Sequence, residues 1–279
     1  MKVLLFLALQ ICQVYASNII IIADVHGDIP RLQTILQDSM VIDAYGVWIA
    51  PENTLVIQLG DQIDPKDIDK DDIPNKHHFA MLYYTYELQK QAKNKKSDFI
   101  SHIGNHELKN IVKIKTKNRI REIISFRPVV SIVNGYLFCH GGFKMHHYHL
   151  LNSYNMTINS VNDVWGKFVM NLQLTPIETV ILDNLILDKR DGILYTRTQD
   201  DKDTIDKLLD IMNLYYMFVG HTETTNIYVK DRIWHLDLIL KSAFDKNEYN
   251  YIQIIDDNII VKCLSRNFEK LPVPANFGF

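Results

Sequence analysis

Five apolar runs in this chain each stop at a short turn carrying Asp, His or Asn, and this recurrence constrains the fold more than any other feature. Asn18 to Ala23 runs into Asp24-Val25-His26-Gly27, and Leu55 to Leu59 into Gly60-Asp61-Gln62-Ile63-Asp64. Phe99 to Ile103 leads to Gly104-Asn105-His106-Glu107, Gly135 to Cys139 to His140-Gly141-Gly142, and Tyr215 to Val219 to Gly220-His221-Thr222. Unbroken runs rich in Ile, Val and Phe suit strands buried on both faces, as parallel sheets require. Between them lie helical spacings. Leu32, Ile35, Leu36 and Met40 follow Pro30, Phe79, Leu82, Tyr83 and Tyr86 line one face of His78 to Gln91, and Leu108 to Ile124 reads as one basic helix. The alternation predicts an α/β fold, whose sites lie outside the carboxyl ends of the strands.

The remainder carries less chemistry. Ile233 to Asp237 and Tyr249 to Ile255 read as two antiparallel strands, Leu151 to Leu187 alternates helical patterns with turns, and Trp165 and Phe168 look like core. His146, His147 and His149 have no carboxylate or Cys beside them and are expected in a polar loop, and His77 and His78 at an exposed helix start. Asp28 has the position of a helix cap. No repeat or low-complexity linker divides residues 17–279, so a single domain is expected.

A formal net charge of -3 argues against nucleic-acid binding by bulk electrostatics, and the lysines at Lys90 to Lys96 and Lys113 to Arg121 read as solvated helix faces. Met1-Lys2, the apolar Val3 to Leu9 and Val14-Tyr15-Ala16 have the layout of a signal peptide cut after Ala16, too short for stable membrane insertion. Passage through the secretory pathway is therefore expected, with a cytoplasmic location as the alternative. Asn155-Met156-Thr157 is a glycosylation sequon in the first case. Cys139 and Cys263 sit in apolar strand-like runs where a buried free thiol is the commoner outcome, and a disulfide between them stays open.

Asp, His and Asn are ligands that divalent transition metals take. Asp24, His26 and Asp61 suit one ion; Asp61, Asn105, His140 and His221 suit a second, with Asp61 as the bridge. Two such ions share an activated water for in-line attack and clamp phosphoryl oxygens. Asn105 supplies a ligand, which leaves His106 free to be a general acid, oriented by Asp64 three residues beyond the bridge. Arg190 and Arg197, flanking Gly192 to Thr196, have the fork that meets phosphate.

Together, Asp24-x-His26-Gly27, Gly60-Asp61-x-x-Asp64, Gly104-Asn105-His106-Glu107, His140-Gly141-Gly142 and Gly220-His221 resemble the signature of calcineurin-like metallophosphoesterases. Glu107 after Asn105-His106 is similar to the phosphoprotein phosphatase superfamily. The run from Gly104 to Asn110, Tyr195-Thr196-Arg197 and Val219 to Thr222 look most like its bacterial-type Shewanella-like branch, with the diadenosine-tetraphosphate-hydrolase-like phosphatases close behind. The resemblance implies a central sandwich of two mixed β-sheets flanked by helices, two divalent ions (Mn, Fe or Zn) and hydrolysis of phosphomonoesters in phosphoproteins or small molecules. It places Asp24, His26, Asp61, Asn105, His140 and His221 as ligands, His106 as acid, Asp64 as its partner, and Arg197 with Asn105 at the phosphate. Dinucleoside polyphosphate hydrolysis is the alternative activity. Where the family continues Asp-Arg-Gly, Asp64 is followed by Pro65-Lys66, so one phosphate-binding arginine is missing. Lys66 is a candidate replacement without the fork. A metal-loaded binding module of blunted activity is the reading that this loss would support.

Overall fold

The computed structural model describes residues 16–63, 79–111, 119–197, 199–238 and 248–265. Asp64, Lys66, His77, His78 and the proposed leader through residue 15 lie outside them. Among the described residues, strands β1 (Asn18–Ile22), β2 (Thr54–Gln58) and β3 (Asp98–Ser101) pair in parallel. Strands β9 (Glu248–Ile255) and β10 (Asn258–Ser265) extend that sheet antiparallel to give the order β10-β9-β1-β2-β3. The second sheet runs β4-β5-β6-β8-β7, from β4 (Val130–Val133), β5 (Tyr136–Cys139), β6 (Tyr216–Val219), β7 (Tyr228–Lys230) and β8 (Ile233–His235). Its centre, β5-β6-β8, is parallel and its two edges are antiparallel. Both sheets are therefore mixed, and helices cover the outer face of each.

Period-two alternation divides each strand between two cores. Ile19 and Ile21 of β1 with Leu55 and Ile57 of β2 face Tyr136, Phe138 and Phe218 of the other sheet. The rings of Phe138 and Phe218 stack at 5.2 Å, and Trp234 lies 6.2 Å beyond Phe218. Ile20, Ile22, Val56 and Phe99 point the other way, onto α1 (Ile29–Asp38) and α2 (Ala80–Asn94) through Leu32, Ile35, Leu36, Met81 and Leu88. Each of these fully buried aliphatic side chains contributes about 1.5–3 kcal/mol. On the far side, Leu137, Cys139, Met217 and Val219 meet a helical layer that includes Trp165, Leu182, Leu185 and Leu208. Phe168 packs against it partly buried.

Helices start where their caps allow. Asp28 accepts from the Arg31 N–H at 2.9 Å, with Pro30 in the first turn. Thr175 and Glu178 form a capping box ahead of Pro176–Ile181.

Four expectations need correction. The helix expected from Leu108 to Ile124 starts earlier, at Asn105, so Asn105 and His106 open it; its described parts are α3 (Asn105–Ile111) and α4 (Arg119–Ser125), and residues 112–118 lie outside the description. The strands at Ile233 and Tyr249 are each antiparallel to a neighbour but belong to different sheets. Cys263 is an exposed free thiol on the edge strand β10, whereas Cys139 is buried as expected. His146, His147 and His149 lie on α5 (Met145–Ser153), not in a loop, and His147 is fully buried. The sequon residue Asn155 is exposed. Ala16 is buried, and the Asn134 side chain accepts from its N–H (3.4 Å) and donates to its carbonyl (2.8 Å). A chain beginning at Ser17 would lack both bonds. No helix among the described residues is long and apolar enough to cross a membrane.

Candidate metal centre and active site

The parallel strands of both sheets end on one side, so residues nearly 200 apart in sequence meet there. Asp24 follows β1, Asp61 follows β2, Asn105 and His106 follow β3, His140 follows β5 and His221 follows β6. The turns that deliver them are tight. His26, Asp61 and His221 all have left-handed backbone, with φ of 42°, 49° and 61°, a conformation uncommon for non-glycine residues and concentrated at functional sites. A Cβ on Gly60 would meet the Gly104 nitrogen at 2.7 Å, and one on Gly104 would collide with the Asp61 backbone and carboxylate. The second and third motifs are thus pressed backbone against backbone, which only glycines permit.

Glu107 fastens them together. Its buried carboxylate accepts from the N–H groups of Asp61 (2.9 Å), Gln62 (2.8 Å), Ile63 (3.0 Å) and Gly104 (2.8 Å). Sequence reasoning used Glu107 only as a mark of resemblance. Its partners are backbone groups brought together by folding, so no residue pattern announces them. A second tier lies beneath: Thr85 donates to Gln62 Oε1 at 2.9 Å, and buried Arg127 donates to Thr85 Oγ1 at 2.8 Å.

Asp61 is central. Its carboxylate accepts from the His106 backbone N–H at 2.8 Å and lies 3.4 Å from His140 Nε2 and 3.7 Å from His106 Nε2. Asp24 lies 3.8 Å from both His26 Nε2 and His140 Nδ1. Among the described residues, two groups have ligand atoms within 4.8 Å of one another, namely His26, Asp61 and His106, and Asp61, His140 and His221, with Asp61 common to both. His106 thus stands as near to the first group as a ligand would.

The donor set fits metal ions. His140 Nδ1–H donates to the Leu59 carbonyl at 2.9 Å and His221 Nε2–H to the Tyr195 carbonyl at 3.1 Å, the outward hydrogen bonds that fix metal-ligating imidazoles. Their other ring nitrogens turn inward. The Asn105 amide oxygen lies 3.0 Å from His140 Nε2, 3.0 Å from His221 Nδ1 and 3.2 Å from Asp61 Oδ2. Potential ligand atoms of four side chains therefore converge, an arrangement that a cation satisfies. His26 Nδ1 is also buried with no partner among the described residues.

Charge points the same way. Burial lowers the basicity of His140, but Asp61 and Asp24 outweigh it and raise its pKa to about 10. Burial would raise the Asp61 carboxyl, yet His140, His106 and His26 hold it below its usual range. Asp24 is pushed well up by burial and by Asp237, another buried carboxylate. His221 falls to about 3 through burial and the neighbouring His140 and Arg197. The cluster holds more negative charge than its own cations neutralise, and divalent ions would relieve that.

Around this centre, Arg197 is exposed and donates to the His221 carbonyl at 2.6 Å. Arg190 is exposed on a separate turn and has no bond to the centre among the described residues. His106 Nδ1 is buried without a partner among the described residues, and Asp64, expected there, lies outside them.

The calcineurin-like phosphoesterase family model matches residues 17–223, which include the candidate ligands, His106, Glu107 and Arg197. The chain belongs to the calcineurin-like phosphoesterase family. It is 27% identical over 298 residues to the Shewanella-like protein phosphatase 1 of Plasmodium berghei, covering 92% of this chain and 77% of that protein. The cold-active protein-tyrosine phosphatase of a psychrophilic Shewanella species shares the fold with a TM-score of 0.68 at 17% identity, over 88% of this chain and 77% of the other. A protein serine/threonine phosphatase from Saccharomyces cerevisiae superposes with a TM-score of 0.58 at 16% identity, over 91% and 82%. As a metallophosphoesterase the chain is a phosphatase-type hydrolase, and the expected sandwich of two mixed sheets is the fold observed.

Proposed function

We propose that this enzyme hydrolyses phosphomonoesters of phosphoproteins with two divalent ions bridged by Asp61. The single observation that carries the reading is that Asp61 belongs to two ligand-competent groups at once. Asp24, His26 and Asp61 would hold one ion; Asp61, Asn105, His140 and His221 the other. Mn, Fe and Zn all suit this mixture of carboxylate, amide and imidazole. When bound, the ions supply an activated water and neutralise charge on the phosphoryl group.

The chain's own residues do the rest. Arg197, held by the His221 carbonyl, presents an always-charged fork beside the centre for the phosphoryl oxygens. His106 hands a proton to the leaving oxygen. Burial pushes its pKa down to about 4 despite the nearby Asp61. Developing negative charge on the leaving group would favour the protonated form at the moment of transfer. Glu107 keeps Asp61 in its left-handed turn, so the bridge is set before substrate arrives.

The phosphoprotein substrate class is supported by the relatives, which are named as protein phosphatases. The test is metal analysis of the purified protein coupled to turnover on phosphoserine, phosphothreonine and phosphotyrosine peptides and on diadenosine tetraphosphate. Two ions per chain with preferred turnover of peptides is expected. Preferred cleavage of the dinucleotide would replace the substrate class and leave the centre standing. Absence of bound metal, or metal without hydrolysis of any ester, would overturn the proposal.

A further inference from the structure

Lys109 lies one helical turn beyond Asn105 on α3, on the same face, and it is exposed. Its Nζ comes within 2.9 Å of the Asn105 amide, at the edge of the metal centre. The contact has different meanings in the two orientations of that amide. With the oxygen turned inward among His140, His221 and Asp61, Asn105 Nδ2 faces the Lys109 ammonium, and two donors meet without an acceptor. Turned over, the oxygen accepts from Lys109 at 2.9 Å, while the nitrogen donates to His221 Nδ1, His140 Nε2 and Asp61 Oδ2 at 3.0, 3.0 and 3.2 Å. The second arrangement satisfies the protein by itself. The first makes Asn105 a metal ligand and leaves a pair of converging N–H donors at the site's rim.

Two adjacent donors, one of them charged, are bridged by an anionic oxygen. The site also lacks the arginine that the family carries after the position of Asp64, where this chain has Pro65. Resting on the function proposed above, we infer that Lys109 is a second phosphate-binding cation beside Arg197, and that Asn105 releases it for this task by turning its oxygen toward bound metal. An ammonium is a compact point charge without a fork, so it is suited to one phosphoryl oxygen shared with the Asn105 amide, not to bidentate capture.

The experiment measures inorganic phosphate binding by calorimetry to the manganese-loaded protein, with metal content determined for each variant. A charge-assisted hydrogen bond is worth enough that Lys109→Ala should bind phosphate roughly 10–100-fold more weakly while retaining both ions. Lys109→Arg should recover most of the affinity. Lys230→Ala, which removes an exposed charge on β7, should match the wild type. On a phosphopeptide, Lys109→Ala should raise KM more than it lowers kcat, because the contact exists before the transition state. Wild-type phosphate affinity in Lys109→Ala would overturn the inference and leave the function intact. Loss of metal from Lys109→Ala would also overturn it, making the lysine a support of the centre. Failure of the manganese-loaded wild type to bind phosphate would overturn the inference, and failure to bind any of manganese, iron and zinc would remove the proposed function with it.

Discussion

Two groups of histidines among the described residues differ in everything except the residue type. His26, His106, His140 and His221 come from beyond the ends of four separate strands and meet Asp24 and Asp61, with His140 Nε2 and His221 Nδ1 turned toward the Asn105 amide. His146, His147 and His149 are neighbours in sequence on α5. His147, the buried member, is already satisfied, since its Nδ1 accepts from the Lys144 N–H at 3.0 Å and its Nε2–H donates to the Asp191 carbonyl at 2.7 Å. His146 packs edge-on against it at 4.2 Å. The difference is one of charge and of unspent lone pairs. A ligand cluster is recognised by acceptors that converge without donors, and density of histidine in the sequence says little about it.

The largest expected effect breaks the first group at its shared member. Asp61→Asn should reduce the bound metal below two ions per chain and take hydrolysis to background, since a neutral amide bridges two cations poorly. His147→Gln should keep both ions. Elemental analysis of the two purified variants makes the comparison. Full metal content with normal turnover in Asp61→Asn would end the bridging assignment, and metal loss in His147→Gln would mean that the second group is a ligand set after all.

A smaller effect sharpens the distinction inside the first group, because His106 lies as close to Asp61 as the ligands do. If it is the acid, His106→Ala retains both metals and loses about 10²–10⁴-fold with alkyl phosphates such as phosphoserine. The loss should shrink with p-nitrophenyl phosphate, whose phenolate leaves with little help from a proton. His140→Ala should instead lose metal and impair both substrates alike. Metal loss in His106→Ala would reclassify it as a ligand of the first ion.

Much of this was legible in the sequence because strands buried on both faces must be written in Ile, Val and Phe. Ile19 to Ile22 and Leu55 to Ile57 leave little choice of structure, and the turns after them carry the polar residues. What was not legible depends on partners distant in the chain. Glu107 has four backbone donors, three of them more than forty residues away in the motif after β2, and Lys109 gains its interest only from the Asn105 amide beside it. Strands β4, β7 and β10 escaped because they are short or at sheet edges, where one face is wet and the apolar pattern thins. The histidines of α5 were misplaced for a related reason. Three imidazoles in four residues look too polar for a packed helix, and only the Asp191 carbonyl and the Lys144 N–H show how one of them is buried at no cost in unmade hydrogen bonds.

That satisfied histidine gives the smallest and most specific prediction. Burial lowers the pKa of His147 to about 3, with the neighbouring His146 acting in the same direction. Its ordinary value is about 6.5, so the native state keeps the ring neutral where the unfolded chain takes up a proton. The sign follows from proton counting. Above pH 6.5 both states are neutral and His147 makes stability independent of pH. Between about 6.5 and about 3 the unfolded state holds one more proton, so stability falls as pH falls, by about 1.4 kcal/mol per unit. At pH 5 the loss from this residue is about 2 kcal/mol relative to pH 7. His102 behaves similarly. It is fully buried between the Gln58 carbonyl and Ser131 Oγ, with its pKa lowered by burial to about 3, so the wild-type slope contains both. His147→Gln retains a donor for Asp191 but loses the acceptor for Lys144, and should cost about 1 kcal/mol at pH 7. Its stability should then decline less steeply than the wild type's, so that the two curves converge near pH 6 and cross below it. Urea denaturation of both proteins from pH 7 to pH 4.5 reads the difference, and the carboxylates common to both cancel. Parallel curves would show that His147 takes its proton in the folded state. It would then be an imidazolium, and the contrast between a satisfied neutral histidine and an electrostatically unbalanced centre would fail at this helix.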